Sequence, residues 1–440
     1  MASFFSSLFT FPSVPPELVP VFQSIWTVWS QVWWIIVPII AAMFFWEAWL
    51  LYLHVRFLEE IPWKVLEIKI PKNVLKTPKA MEQIFAAAHA PYSFGLKFIE
   101  KYWKGMHEMF FSFELVGRAG ETHFYLRTPE QFRNMMESAI YGQYPEAEIV
   151  EVDDYIKQMP KVLPNKDLDV AGFEEILEKP DPYPIRTYPM FEDPIEERRI
   201  DTMAAFIESL SKMTDDRQFW FQLIVVPTGF EFKKEGEKII NKILGLEAKE
   251  EKKKGMFPDF DLGFSVAEMI RAPFEHPGEA KKKEEKRENF MRFIISPGDK
   301  EVTEGIGKKI SKFGFEATIR FLVIFNRSEG KSGERNAFLG HGYMRQFNTL
   351  DMNQLRPDKR TTSASYAVKG LFKKTRLRWR KRILYERYRH LTHQEKKPIL
   401  NIEELATIFH FPIATVSTSE LEKVESKKGT PPAALPIVEE

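Results

Sequence analysis

The sequence has 440 residues, 63 Lys and Arg against 62 Asp and Glu, and no cysteine. At roughly 100–200 residues per domain, this length predicts two or three folded units, and a hydrophobic content of 44% excludes a disordered chain. The lack of thiols excludes disulfides, thiolate catalysis and cysteine-ligated metal sites, and the balanced charge restricts any nucleic-acid surface to local patches.

Residues 32–53 form an apolar run in which Glu47 is the only charged residue. About 20 apolar residues cross a hydrocarbon core of about 30 Å as a helix. Aromatic rings, which favour bilayer interfaces, lie near both ends of the run, at Trp33, Trp34, Trp46, Trp49 and Tyr52. A signal peptide is the competing interpretation, but residues 1–55 contain no Lys or Arg for its basic n-region. The pattern predicts one transmembrane helix over 32–53.

The charges around this helix predict its orientation. Glu17 is the only charged residue in the preceding segment 1–31, whereas several bases follow the helix, namely Arg56, Lys64, Lys69, Lys72, Lys76 and Lys79. Basic flanks stay on the cytoplasmic side of a membrane. We therefore expect segment 1–31 to be extracytoplasmic and the rest to be cytoplasmic, in a single-pass protein of the cell membrane whose first partner is the lipid bilayer.

Residues 62–155 carry the signals of an α+β module. The predicted elements are a strand at 66–70, a helix opening at Thr77-Pro78, two strands at 110–116 and 122–127 joined by a glycine turn over 117–120, a helix opening with a capping box between Thr128 and Gln131, and a strand at 147–153. The order βαββαβ predicts a ferredoxin-like antiparallel sheet with both helices on one face. This arrangement supports many functions and does not select one.

A second, interrupted α+β module is predicted over 180–355, after a proline-rich connector. Its signals are a helix capped by Asp201, a strand at 219–226, a helix around Ile239–Leu244, a charged insertion at about 246–288, a helix at 301–313 and a strand at 315–325. Alternate residues of that last strand, from Phe315 to Phe325, are predicted to form one buried face. The two modules look like relatives, one of them interrupted.

Residues 363–425 are predicted to be a basic and helical segment. Lys369–Arg389 holds ten Lys or Arg residues against one acid, Glu386. The candidate binding residues are Lys373, Lys374, Arg376, Arg378, Arg380, Lys381 and Arg382. These cations could bind phosphates beside Trp379, anionic lipid or an acidic protein, or they could simply solvate a helix.

A short capped helix follows the basic stretch. Asn401 is its predicted N-cap with Glu404 as the capping-box partner. Leu405, Ile408 and Phe409 are predicted to be exposed apolar anchors for a partner. The remaining segment 426–440 is predicted to be a flexible tail.

No catalytic, cofactor or metal site is predicted. Gly330-Lys331-Ser332 follows an apolar strand, but a phosphate loop needs a glycine at the position of Phe325. Residues 328–333 are therefore expected to form a polar surface loop. His390 and His393 lie beside arginines that would repel a cation. We expect a non-enzymatic protein.

Five segments occur in the order seen in a known group of proteins: 66–89, 113–155, 338–355, 400–412 and 426–436. Together they resemble the N-terminal, membrane-attached region of type IV secretion or conjugation ATPases of the HerA/FtsK-like kind from candidate-phylum bacteria. In those proteins the ATPase domain follows the segment that corresponds to 426–436, whereas this sequence ends at Glu440.

The resemblance implies an accessory subunit of a translocation apparatus that positions a separately encoded phosphate-loop ATPase. It implies no catalytic residues, because the segments that would carry them are absent from the sequence. The alternative function is a membrane-tethered nucleic-acid-binding protein. DNA and a second copy of the chain are the other expected partners.

Overall fold

The computed structural model describes residues 19–71, 76–92, 98–103, 106, 108–191, 201–214, 216–245 and 296–412. The chain divides into two compact units, the first comprising residues 1–61 and 96–107 and the second comprising 62–95 and 108–440. The predicted insertion 246–288, the tail 426–440 and most of segment 1–31 lie outside the described residues.

The helices are α1 (Val19–Glu60), α2 (Pro78–Ala88), α3 (Phe98–Tyr102), α4 (Arg133–Gln143), α5 (Ala204–Ser211), α6 (Glu231–Ile243), α7 (Pro297–Ile310), α8 (Lys331–Arg335), α9 (Phe338–Arg345), α10 (Lys373–Arg389) and α11 (Ile402–Ile408). The strands are β1 (Trp63–Lys69), β2 (Phe111–Arg118), β3 (Glu121–Pro129), β4 (Glu148–Glu151), β5 (Leu168–Leu177), β6 (Gln218–Pro227), β7 (Gly314–Asn326), β8 (Leu355–Pro357) and β9 (Ile399–Asn401).

Helix α1 belongs to the first unit and contains the apolar run. Its stretch Trp29–Leu50 is long and apolar enough to cross a membrane, and it is the one such stretch among the described residues. Large apolar side chains of this stretch are exposed, among them Ile39 and Phe45. The helix extends beyond the predicted 32–53 at both ends, because polar residues such as Gln31 and Arg56 are also good helix formers.

In the second unit, the described strands form one antiparallel sheet in the order β4-β1-β3-β2-β6-β7-β5-β8, with β9 paired to one end of β7. From one edge of the sheet, the first four strands lie in the order β4-β1-β3-β2. From the opposite edge, the last four lie in the order β8-β5-β7-β6. The two orders are the same, 4-1-3-2, when each set of four is numbered from its own first strand. The two halves meet where β2 pairs with β6, from Phe111 opposite Val225 to Arg118 opposite Gln218. Both predicted modules therefore contribute to one continuous sheet.

Strand β5 was not predicted from the sequence. It pairs with β7 over eight residue positions, from Leu168 to Glu175. Its two adjacent acids, Glu174 and Glu175, are both buried, so the segment shows neither the alternating pattern of a half-buried strand nor a continuous apolar run. The connection from β4 to β5 is where the second half of the sheet begins.

The hairpin β2–β3 turns more tightly than predicted. Gly117 and Arg118 still pair with Thr122 and Glu121, so only Ala119 and Gly120 form the loop. Both have positive φ, 52° and 80°, as a two-residue turn with the twist of its strands requires.

The predicted capping box at Thr128 is wrong, whereas the one at Asn401 is confirmed. Thr128 lies within β3 opposite Lys64, and its hydroxyl donates to the Pro129 carbonyl at 3.1 Å. Strand pairing here extends past the cap position, and a 3-10 turn, Glu130–Phe132, precedes α4. At α11, Asn401 Oδ1 accepts from the Glu404 amide at 2.8 Å, and Glu404 Oε2 accepts from the Asn401 amide at 2.9 Å.

The two faces of the sheet are covered differently. Helices α2, α4, α5, α9 and α11 contribute to an apolar core on one face, together with the alternate residues of β7 from Phe315 to Phe325, as predicted. At its centre, the rings of Phe221 and Phe321 stack with centroids 4.6 Å apart. The other face of β7 is also buried, because α10 packs there with Leu384, Tyr385 and Tyr388.

Candidate binding surface on the basic helix

A row of buried polar side chains crosses the sheet beneath α10. Glu114, Gln222, Arg320 and Glu174 stand directly opposite one another in β2, β6, β7 and β5. Gln222 Nε2 donates to Glu114 Oε1 at 3.0 Å, and Arg320 Nη1 donates to Gln222 Oε1 at 2.7 Å. Arg320 Nη2 donates to Glu174 Oε1 at 2.6 Å. We call these four residues the polar row.

The C-terminal half of α10 is bound to the polar row. Arg387 Nη1 donates to Glu174 Oε2 at 3.1 Å, while the Arg387 carbonyl accepts from Arg320 Nη1 at the same distance. The hydroxyls of Tyr388 and Tyr155 lie 2.6 Å apart, and Tyr155 donates to Glu114 Oε2 at 2.8 Å. Burial raises the pKa of both phenols well above their ordinary value, so they remain neutral hydrogen-bonding groups.

Lys381 is a correction to the predicted binding residues. It is 4% exposed, and its Nζ lies 2.9 Å from both Asp169 and Glu334. A buried ammonium is costly unless it is paired, and these two carboxylates offset that cost. Lys381 therefore fixes α10 to the start of β5 and to α8.

The three predicted apolar anchors are also corrected. Leu405, Ile408 and Phe409 are at most 1% exposed. The Phe409 ring contacts that of Phe113 at 5.6 Å and that of Phe124 at 5.9 Å. The apolar side chains that the sequence predicts to be a partner surface face the core instead, as the apolar face of a helix in a globular protein usually does.

The N-terminal half of α10 is different, because most of its cations face solvent. Lys373, Lys374, Arg376, Arg378 and Arg382 are exposed. Arg382 pairs with Glu386 one turn later, at 3.1 Å. Among the described residues, the ion pairs of α10 involve Lys381, Arg382 and Arg387, so the other four cations have no carboxylate within ion-pair distance.

Two large apolar side chains precede these cations. Leu371 is 83% exposed and Phe372 is 79% exposed. Phe372 also has a φ of 54°, a conformation that costs a residue other than glycine about 1–2 kcal/mol. We call Leu371, Phe372, Lys373 and Lys374 the tip.

A cavity of about 340 Å³ lies along α10, between Arg376 and Arg387. Its charged and aromatic walls are formed by Arg360, Arg376, Trp379, Arg380, Arg387 and Glu395, which we call the arginine groove. Arg360 and Arg387 share Glu395, at 3.7 and 3.2 Å.

The other two arginines of the groove are held by backbone carbonyls. Arg376 donates to the Lys369 carbonyl at 3.2 Å, and Arg380 donates to those of Lys359 and Thr362 at 2.9 and 3.1 Å. Partial burial and the nearby positive charge of Arg376 lower the pKa of Arg380. The groove therefore concentrates positive charge that the described residues do not fully neutralise.

A second cavity, of about 330 Å³, is lined by Lys331, Glu334, Arg335, Phe338, Tyr366 and Lys373, which we call the lysine pocket. The rings of Phe338 and Tyr366 stack with centroids 5.1 Å apart, and both are partly exposed. Residues 328–333 do not form the predicted loop but belong to a 3-10 turn and to α8. Lys331 is exposed there, so the segment is at the surface as expected.

Within the part of the chain that the structure describes, no group of three or more His, Cys, Asp or Glu side chains is placed to hold a metal ion. His393 instead packs edge-on against Phe110, with ring centroids 4.8 Å apart. The sequence located the cations of α10 and placed Lys331 at the surface, but it did not show that Lys331, Arg335 and Arg360 line the same cavities as α10.

No curated protein matches this sequence. One family, described as Domain of unknown function (DUF8128), matches residues 55–423. The match covers the whole described part of the second unit and the end of α1. The chain belongs to the DUF8128 family.

Proposed function

We propose that the protein is a non-enzymatic, single-pass membrane subunit of a translocation apparatus of the type IV secretion or conjugation kind. In this proposal the apolar run 32–53 within α1 anchors the chain, and segment 1–31 lies on the outer side of the cell membrane. The second unit positions a separately encoded phosphate-loop ATPase in the cytoplasm. The observation that carries the proposal is the tip, where two exposed apolar side chains adjoin two exposed lysines.

We further propose that each half of the sheet, β1–β4 and β5–β8, is a ferredoxin-like module. The support is the 4-1-3-2 strand order that the halves share and their antiparallel pairing. In the second half, α6 and α7 come between β6 and β7 in the chain, where the first half has the two-residue turn between β2 and β3. Two joined modules make a broad, rigid support on which a binding surface keeps its geometry.

The tip replaces the buried helix α11 as the docking surface. Leu371 and Phe372 project into solvent and offer apolar anchors, which supply most of the affinity at protein interfaces. Lys373, Lys374 and Arg378 follow them on α10 and would steer an acidic surface into place. The left-handed backbone of Phe372 is a cost to folding, and such costs are concentrated at binding sites.

Co-purification from native membranes tests the docking. The full chain and a Leu371→Ala, Phe372→Gly variant are captured, and retained proteins are examined for a phosphate-loop ATPase. We expect the ATPase with the wild-type chain and at least tenfold less with the variant. Leu350→Ala is the control, because Leu350 is 84% exposed elsewhere on the second unit.

Equal retention of the ATPase by all three chains, or its absence from all of them, would contradict the docking proposal. The topology is tested separately by a reporter fused after Glu440. A reporter that is active only outside the cytoplasm would contradict the proposed orientation.

A further inference from the structure

The arginine groove and the lysine pocket lie along one seam of the fold. Residues 360–366 contribute Arg360 and Thr361 to the first cavity and Ser365 and Tyr366 to the second. Helix α10 contributes Arg376 and Arg380 to the first and Lys373 to the second. Two concave sites therefore share the same pair of walls and are separated by about one helical turn.

Each cavity combines cations with an exposed aromatic surface. In the arginine groove, four guanidinium groups accompany the indole of Trp379, which is 63% exposed. In the lysine pocket, Lys331, Arg335 and Lys373 accompany the stacked rings of Phe338 and Tyr366. Apart from Glu395 and Glu334, the side chains that line the two cavities carry no negative charge.

This combination selects among possible anions. A guanidinium binds phosphate oxygens through two parallel hydrogen bonds, and an exposed ring offers a stacking platform to an unpaired base. An acidic peptide would use the cations but not the indole face. A duplex would present phosphates but keep its bases stacked away from the rings. We propose that the seam binds single-stranded nucleic acid, with phosphates on Arg376, Arg380 and Lys373 and bases on Trp379 and the Phe338–Tyr366 pair.

The charges and hydrogen bonds of Arg376 and Arg380 agree with this proposal. Arg376 and Arg380 repel each other, and backbone carbonyls fix both of them without neutralising their charge. A phosphate placed between them would relieve the repulsion. The seam shares Lys373 with the tip, but the apolar anchors Leu371 and Phe372 line neither cavity. The inference therefore goes beyond the docking proposal, and the variants that test the two can fail separately.

The experiment measures binding of a labelled oligothymidylate of about a dozen nucleotides, a length within the site sizes of single-strand binders. The full chain is held in nanodiscs of uncharged phosphatidylcholine, and fluorescence anisotropy is recorded over a range of salt concentrations. We expect the double variant Arg376→Gln, Arg380→Gln to lower the slope of log affinity against log salt by about 1.4, or 0.7 for each lost phosphate contact.

Trp379→Leu separates a binding role from a folding role, because the side chain is mostly exposed. We expect this variant to bind the oligonucleotide about fivefold to a hundredfold more weakly, with an unchanged salt slope. The control is Arg378→Gln, Arg382→Gln, which removes two charges from the same helix outside both cavities. It should retain most of the affinity.

Several results would overturn the proposal. They are a wild-type chain that does not bind the oligonucleotide at low salt, a Trp379→Leu variant that binds like wild type, and a control as weak as the groove variant. Displacement of the probe by poly-glutamate as readily as by unlabelled oligonucleotide would assign the seam to acidic proteins. Equal affinity for adenosine monophosphate would reduce it to a mononucleotide site.

Discussion

Arg320 and Glu174 stand opposite each other in β7 and β5, and Arg320 donates two hydrogen bonds to the same carboxylate oxygen, at 2.6 and 3.0 Å. Both side chains are at most 1% exposed. Burial lowers the pKa of Arg320, and Glu174 opposes that effect. The pair holds α10 to the sheet, because Glu174 also accepts from Arg387. Arg320 in turn donates to the carbonyl of Arg387 within α10 and to that of Thr392 just after the helix.

We predict that Glu174→Ala lowers the free energy of unfolding of the full chain by about 3–5 kcal/mol, because it leaves a buried guanidinium without its carboxylate. Denaturant titration in detergent measures the change. The control Glu386→Ala breaks an exposed pair on α10 and should stay within about 0.5 kcal/mol of wild type. Similar stabilities for the two variants would show that the buried pair contributes no more than a surface pair.

Lys381 and Lys374 lie on the same helix with opposite environments. We predict that Lys381→Met costs about 2 kcal/mol of unfolding free energy, since Asp169 and Glu334 lose their shared cation. Lys374→Met should change stability by less than about 0.5 kcal/mol, because Lys374 is exposed. The same denaturant titration distinguishes them, and a harmless Lys381→Met would mean that α10 is held mainly by its tyrosines.

Acid should weaken the attachment of α10 through Glu334. Burial raises the pKa of this carboxyl, but hydrogen bonds from Ser365 and Lys381 outweigh burial, so its pKa in the folded chain lies below the ordinary value. A lowered pKa means stabilisation that is complete above the unfolded pKa of about 4.3 and is lost as pH falls through the folded pKa. Glu334→Gln should therefore differ most from wild type at neutral pH. The thermal midpoints of the two chains should converge below about pH 4, and a constant difference would argue against this origin.

Phe372→Gly should separate binding from folding. Glycine adopts positive φ without the steric cost of a phenylalanine, and the lost side chain has few contacts to lose. We predict that the variant is as stable as wild type or up to about 1 kcal/mol more stable. Thermal unfolding checks this, and a loss of more than about 1 kcal/mol would show that the Phe372 side chain serves the fold.

Nucleotide hydrolysis should be absent from the purified full chain. A phosphate loop would need a glycine at the position of Phe325. The ring of Phe325 instead fills the space next to Gly333. We predict that Lys331→Ala leaves the rate of ATP hydrolysis at background, as in wild type, when phosphate release is measured. Turnover that this substitution abolishes would contradict the proposed non-enzymatic function.

The sequence by itself determined the features that depend on local pattern. The apolar run of α1, the strand β1, the helix α2 that begins at Pro78 and the capping box of α11 depend on residues close in the chain. So does the buried face of β7, since alternate residues from Phe315 to Phe325 must point the same way. These signals require no knowledge of what packs against them.

The tertiary structure decided which of the predicted residues can bind anything. The charge pattern of α10 does not distinguish Lys381 from Lys374, because the acids that pair with Lys381 come from β5 and α8. The apolar stripe on α11 has the pattern of a partner surface, but in the fold it is covered by α2 and the sheet. Likewise, the arginine groove forms because Arg360 and Thr361, more than ten residues before α10 begins, line one cavity together with side chains of that helix. Exposure and charge pairing are properties of contacts distant in sequence, so local pattern cannot determine them.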